Sequence, residues 1–283
     1  MVKVGVHVSI SGSIDRAVDR ATARGCDTFQ IFSRNPRGWK VKDLSESSVY
    51  SFRDKLKSSG IYPPVDHMPY LPNLASFKEE TYTKSVEALE VELIRCEILG
   101  IPYLVTHLGS HTGGGKEDGF KRVVDAIDAA LSSVDNDVIL LLETTAGTKN
   151  SMGGDFEDIG RIIEDLGSPD RLGVCFDTCH AFEAGYEVRT LDGFAETMKQ
   201  FESKIGLDLL KVVHLNDSKG GLNSHLDRHE HIGMGKIGED GFRVILGHDA
   251  IRKLPLILET PVDSRRDDVE NIRIVRELAQ NGR

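Results

Sequence analysis

Short apolar runs recur along the whole chain, and between them apolar residues return every third or fourth position. The runs Val4–Val8, Thr28–Phe32, Tyr62–Asp66, Tyr103–Thr106, Val138–Leu142, Leu172–Phe176, Leu210–Val213 and Leu256–Leu258 predict eight strands. The intervening stretches carry helical signals. Ser76-Phe77-Lys78-Glu79 has the spacing of a capping box, Val86, Leu89, Leu93 and Cys96 then fall on one helical face, and Gly100 supplies a stop. Strands alternating with helices predict an α/β fold with a parallel sheet. The count favours a (β/α)₈ TIM barrel, with an open doubly wound sheet as the alternative. No low-complexity segment or linker divides the chain, so residues 1–283 are expected to form a single barrel domain. The polar, Gly-rich stretch 219–239 reads as a long loop over the barrel mouth.

Composition narrows the class. The chain has 283 residues, and one barrel takes about 250. No apolar run approaches the roughly 20 residues of a membrane span. Met1-Val2-Lys3-Val4-Gly5-Val6 reads as a strand and not as a signal peptide. Cys26, Cys96, Cys175 and Cys179 make no disulfide framework at this length, so a reducing cytoplasm is the expected location. The net charge of −10 by itself argues against a nucleic-acid partner. Divalent cations held by acidic ligands would offset that charge where it matters, so the acidity excludes little.

The chemistry gathers where the strands end. His67, His107, Glu143, Asp177, His214 and Glu259 each follow a strand, 34 to 45 residues apart, the length of a βα repeat. In a barrel the C-terminal strand ends share one face, which carries the active site. Any one of these residues alone reads as a hydrogen-bonded histidine or a helix cap. Six at corresponding positions do not. Carboxylates converging after apolar strands repel one another unless protonated or bound to cations, and mixed imidazole and carboxylate donors suit zinc or manganese. Asp177-Thr178-Cys179-His180 and Asp227-Arg228-His229 add further donors, the second pair on one side of an extended segment. The resulting set is His67, His107, Glu143, Asp177, His180, His214, Asp227, His229 and Glu259, enough for two or three metals. Cys175, in a strand, and Cys179, in the loop beyond it, read as packing residues. Gly113-Gly114-Gly115 lacks the Lys-Ser/Thr of a phosphate loop and reads as a flexible connection. His225 and His231 are expected to be hydrogen-bonding supports or exposed, and His7 either a support or a substrate-facing group.

These stretches resemble the endonuclease IV family of abasic-site endonucleases. Gly173-Val174-Cys175-Phe176-Asp177-Thr178-Cys179-His180 matches its central signature. His214-Leu215-Asn216-Asp217-Ser218-Lys219 with Asp227-Arg228-His229 matches its C-terminal one, and His67-Met68-Pro69-Tyr70-Leu71-Pro72-Asn73-Leu74-Ala75 its N-terminal one. Pro72 and Asn223 depart from the family pattern, at positions that are not ligands. The similarity runs from His7-Val8-Ser9 to Glu259-Thr260-Pro261.

The resemblance implies about three Zn²⁺ per chain, with Mn²⁺ possible at some sites. His67, His107 and Glu143 would hold the first ion. Glu143 would bridge to the second, completed by Asp177, His214 and Glu259, and His180, Asp227 and His229 would hold the third. Glu143 and Glu259 would be the catalytic carboxylates. Arg37, Tyr70 and Leu71 would contact DNA in the minor groove. The implied substrate is duplex DNA with abasic sites, cut 5′ to the lesion by a monomer with no membrane or obligate protein partner. The competing readings are a metal-dependent sugar isomerase or epimerase on the same barrel and a noncatalytic metallated DNA-binding protein.

Overall fold

The computed structural model describes residues 2–167 and 170–281. In chain order its strands are β1 (Lys3–Val6), β2 (Phe29–Ile31), β3 (Pro64–His67), β4 (Tyr103–Thr106), β5 (Ile139–Glu143), β6 (Leu172–Asp177), β7 (Leu210–His214), β8 (Asp217–Ser218), β9 (His229–Glu230) and β10 (Pro255–Leu258). The helices are α1 (Arg16–Ala23), α2 (Glu46–Ser59), α3 (Glu79–Leu99), α4 (Lys116–Ser133), α5 (Phe156–Asp165), α6 (Thr178–Ala184), α7 (Leu191–Lys204), α8 (Gly238–Gly247), α9 (Asp249–Arg252) and α10 (Asp268–Asn281). Each of the eight expected strands is present within about two residues of its expected bounds, the usual scatter of strand ends.

The main sheet has eight strands in the order β1-β10-β7-β6-β5-β4-β3-β2, with parallel pairings throughout. It closes at β1 and β2. His7 and Gln30 form a parallel bridge, and the Val8 N–H donates to Gln30 O at 2.8 Å. The closing strands come so near that a Cβ on Gly5 would stand 1.6 Å from Thr28 O, so a side chain there would break the seam. The barrel encloses Val65, Val105, Leu141, Cys175, Val212 and Ile257, all fully buried, while a second apolar layer lies between the strands and the surrounding helices. Burying each aliphatic side chain of the inner group contributes roughly 1.5–3 kcal/mol.

Three local expectations need correction. Ser76 does not cap α3. Its Oγ accepts from the Lys78 N–H at 3.2 Å, and the helix begins at Glu79 behind Lys78, without a side-chain cap. The other end behaves as read: Gly100 takes φ 73° and its N–H closes on Cys96 O and Glu97 O. Stretch 219–239 is not loop alone, because β8 and β9 pair antiparallel across its first half. Cys179 lies in α6 and not in a loop. Cys175 is part of the barrel interior, as a packing residue would be, and Cys179 is fully buried.

Candidate metal centre

A period of two builds the barrel mouth. In extended backbone, residues two apart point the same way. Each apolar residue of the barrel floor is followed two positions later by a polar one: Val65 by His67, Val105 by His107, Leu141 by Glu143, Cys175 by Asp177, Val212 by His214 and Ile257 by Glu259. The floor is apolar and fully buried, and six donor side chains stand on it. Glu143 is at the centre. Its Oε2 lies 3.0 Å from His67 Nε2 and 3.2 Å from His107 Nε2, and its Oε1 lies 3.0 Å from His214 Nδ1. His180 and Asp177 join from α6 and the end of β6, and His229 Nε2 stands 3.4 Å from Asp177 Oδ2.

The outer bonds of the histidines assign their tautomers. A backbone carbonyl only accepts, so His67 Nδ1 donates to Met68 O at 2.7 Å and His180 Nδ1 donates to Thr144 O at 2.8 Å. Gln30 Nε2 donates to Glu259 Oε1 at 2.7 Å, which leaves its Oε1 to accept from His214 Nε2 at 2.8 Å. With one ring nitrogen of each committed as a donor, the other holds a lone pair in the neutral imidazole. Those lone pairs face carboxylate oxygens: His67 faces Glu143, His214 faces Glu143, and His180 Nε2 faces Asp227 Oδ1 at 3.1 Å. Acceptor facing acceptor at this range is unfavourable unless a cation or an extra proton lies between. Among the described residues, buried His229 Nε2 makes no well-formed hydrogen bond, although Asp177 Oδ2 lies 3.4 Å away. The donors therefore fit divalent metal, and they fall into groups whose ligand atoms all lie within 4.8 Å of one another: His67, His107 and Glu143; Glu143, Asp177, His214 and Glu259; His180, Asp227 and His229. Asp177, Cys179 and His229 form a further such group.

The titration tendencies agree. Burial drives the Glu143 carboxyl upward, yet His107 and His214 hold it well below the usual carboxylate range. Burial likewise opposes ionisation of Asp177, and His180 and His229 overcome it. Burial works against charge on His180 and His214, but Asp177 raises the first, and Cys175, Glu259 and Glu143 raise the second. The cluster selects positive charge at these nitrogens. His7 is different. Burial lowers it to about 4, and its Nδ1 accepts from Gln30 Nε2 at 3.1 Å, so it is a neutral support at the seam.

The Asp227 and His229 pair meets its partners by a different route from the one expected. Asp227 has φ 56°, so the segment is not extended there. Asn223 and His225 are left-handed too, at φ 62° and 54°. Each costs roughly 1–2 kcal/mol, less for the Asn and Asp types, and persists only where its surroundings hold it. His225 is exposed with its Nδ1 2.8 Å from Ala146 O, and buried His231 lies between Asp263 Oδ1 at 3.1 Å and Asn271 Nδ2 at 3.0 Å, within the support or exposure expected for both.

At the rim, Arg37 is exposed on the β2–α2 loop, and Tyr70 and Leu71 are 64% and 37% exposed on the β3–α3 loop. The Tyr70 N–H donates to Pro36 O at 3.1 Å, which ties the two loops together, and the Tyr70 ring packs on Phe32 at 4.9 Å. Tyr70 borders the cleft of about 430 Å³ that His67, His107, His180 and Glu259 line.

Sequence reasoning missed the residues that hold these groups. Gln30 was invisible because its amide neither titrates nor ligates. Its signal is parity: Phe29 and Ile31 pack outward, so the polar residue between them faces in. Asn216 joins Asp177 Oδ2 at 2.8 Å to the Glu259 N–H at 2.8 Å. The Arg37 loop hangs on a buried network in which Glu92 of α3 binds Arg34 and Ser33, Arg95 donates to Ser33 Oγ at 2.7 Å, and Arg34 donates to Gly38 O at 3.1 Å.

Comparison with known proteins places the chain in a family. Residues 18–280 match the family model described as a xylose isomerase-like TIM barrel. The probable endonuclease 4 of Methanoculleus marisnigri is 61% identical over 280 residues, which cover 99% of each chain. The chain belongs to the endonuclease 4 family. The endonuclease IV structure from Thermus thermophilus superposes with a TM-score of 0.87 at 37% identity, covering 99% of both chains. A D-tagatose 3-epimerase-like protein reaches a TM-score of 0.72 at 20% identity, a likeness of fold alone. As a member of the endonuclease 4 family, the chain has the (β/α)₈ barrel that its strand count predicted, and no described helix is long and apolar enough to cross a membrane.

Proposed function

We propose that the protein hydrolyses the phosphodiester bond 5′ to abasic sites in duplex DNA, leaving a 3′-hydroxyl and a 5′-deoxyribose phosphate, as its endonuclease 4 relatives suggest. The observation that carries the reading is the set of histidine ring nitrogens aimed at carboxylate oxygens, with the opposite ring nitrogens of His67, His180 and His214 already bonded elsewhere. His67, His107 and Glu143 would hold one zinc ion, Glu143, Asp177, His214 and Glu259 a second, and His180, Asp227 and His229 a third. Ions bound there would supply Lewis acidity, acidifying the attacking water and neutralising charge on the phosphoryl oxygens. The chain's own residues do the rest. Gln30 and Asn216 fix the orientation of Glu259, His214 and Asp177. The apolar floor excludes water from below. Arg37, Tyr70 and Leu71 would fill the gap in the base stack and hold the kinked duplex, since an abasic sugar flips out at low unstacking cost.

The direct test is incubation with 5′-labelled duplex containing one abasic site, with intact duplex and with a ketohexose. Cleavage of the abasic strand alone is expected. Turnover of the sugar without strand cleavage would transfer the reading to a sugar epimerase. Elemental analysis of gently purified protein should find about three transition metals per chain, mainly zinc. No more than one would remove the three-ion assignment.

Arg37→Ala and Tyr70→Ala should each weaken binding to abasic duplex about tenfold or more, as loss of a stacking contact worth roughly 1–3 kcal/mol implies. Intact duplex offers no gap to fill, so its binding should fall less, and metal content should not change. Fluorescence titrations at fixed salt measure both. Equal losses on the two duplexes would reduce these residues to general phosphate contacts.

A further inference from the structure

Helix α6 carries an acidic side chain that the hydrolytic reading leaves unused. Glu183 is fully buried, forms no ion pair with Lys or Arg among the described residues, and lies three residues after His180 on the same helical face. Its carboxylate is surrounded by donors. Oε2 accepts the N–H of Leu226 at 3.0 Å and the N–H of Asp227, and Oε1 accepts the Ser218 hydroxyl and the Gly220 N–H at 3.3 Å. The last turn of the helix completes the grip. Phe182 O accepts from the Asn223 N–H at 3.1 Å, and Glu183 O accepts from the His225 N–H at 3.0 Å. The gripped segment is the one that runs through left-handed Asn223, His225 and Asp227.

We infer that Glu183 is the positioning residue of the His180, Asp227 and His229 ion site. This rests on the metal reading above. Asp227 Oδ1 meets His180 Nε2 at 3.1 Å only while the loop keeps its left-handed turns, which its non-glycine residues do not favour on their own. Glu183 supplies the bias. One face of one short helix presents both the ligand His180 and the carboxylate that fixes the backbone of the opposing ligand, so the two halves of the site are set by a single rigid element. Backbone N–H groups can only donate, and they approach both carboxylate oxygens. A carboxamide would turn its own N–H₂ either against the Leu226 and Asp227 N–H groups or against the Gly220 N–H, so glutamine is not a neutral replacement despite its shape. The other two ion groups draw their ligands from strand ends and do not depend on this loop.

The test compares the full-length protein with Glu183→Gln and Glu183→Asp, the second keeping the charge but withdrawing it by one methylene. After metal loading and gel filtration, wild type should retain about three zinc ions and each variant about two. The last ion should need at least about tenfold more free zinc to bind in the variants, and incision of abasic duplex should recover as zinc is raised. Asp227→Asn provides the signature of losing this site, and cobalt substitution gives the spectroscopic comparison. A second readout needs no metal. Trypsin cuts after Lys219 and Arg228, which flank the gripped segment, and both bonds should be cleaved faster in the chelated variants than in chelated wild type. Variants that keep all three ions at wild-type affinity, lose every ion alike, or are cut no faster would overturn the inference. So would loss of the melting transition in both variants, which would assign Glu183 to the fold. A wild type with fewer than three ions overturns the metal reading instead, and does so before any substitution is made.

Discussion

Glu259→Gln should lower incision of abasic duplex by about a thousandfold or more, roughly 4 kcal/mol of barrier, while the chain folds and still binds the lesion. Glu259 stands at the edge of the cleft with its side chain 21% exposed, and little of the fold rests on it. Its Oε1 accepts from Gln30 Nε2 at 2.7 Å, and its Oε2 lies 3.5 Å from His214 Nδ1. Burial opposes its ionisation, and His214 nevertheless keeps it below the usual carboxylate range, so it is an anion where the proposed second ion would lie. The amide has nearly the same shape, donates where the carboxylate accepts, and is a far poorer ligand. Glu143→Gln should cost activity at least as heavily, because Glu143 meets His67, His107 and His214 at once. It should also disturb the mouth more, since Glu143 is fully buried. Single-turnover incision with circular dichroism and lesion-binding controls decides the matter. Glu259→Gln retaining more than about a tenth of wild-type turnover, only about 1.4 kcal/mol, would remove it from the catalytic set.

Chelation should abolish incision, by about a thousandfold or more, with recovery on adding zinc. It should also reverse the pH dependence of stability. Without ions, His180, His214 and His229 have raised folded-state values, each against an opposing effect of burial and through neighbouring carboxylates. Their contribution is fully present below the unfolded histidine value of about 6.5 and is lost as pH rises through their folded values. Glu143, Asp177 and Glu259 are lowered, so their contribution is present above about 4 and is lost as pH falls through their folded values. The chelated protein should therefore be most stable between these limits and weaken toward alkaline pH. With ions bound, the histidines must be deprotonated, so affinity and stability rise with pH over the same interval. The gap in melting temperature between loaded and chelated protein should widen by about 5 °C or more between about pH 6 and pH 8, at roughly 2–4 °C per kcal/mol. A constant or shrinking gap would show that these residues do not hold the ions.

The barrel was legible in the sequence because its signals are local. An apolar strand must be covered, and a run such as Val138–Leu142 announces itself without reference to its neighbours. The helix that ends at Gly100 was read from its apolar face and its stop, whereas the start at Ser76 was not: the capping spacing is present, but the chain enters α3 at Glu79 and Ser76 serves the turn before it. The donor residues were legible for a related reason. They follow strands at βα-repeat intervals, and closing the barrel brings all strand ends to one mouth whatever the loops do.

What the sequence determined by itself was the order of elements, the parity of each strand, and therefore which side chains face the barrel axis. Tertiary structure decided how those side chains are oriented and which ones can act together. That Gln30 donates to Glu259 and accepts from His214 depends on closure of the barrel between β2 and β1, which brings the residue of β2 beside those at the ends of β10 and β7. That Asp227 reaches His180 depends on a left-handed backbone held by Glu183, 44 residues away. Hydrogen bonds of this kind join groups whose separation along the chain carries no period, and an amide or a buried carboxylate shows its role only when the donors around it are in place.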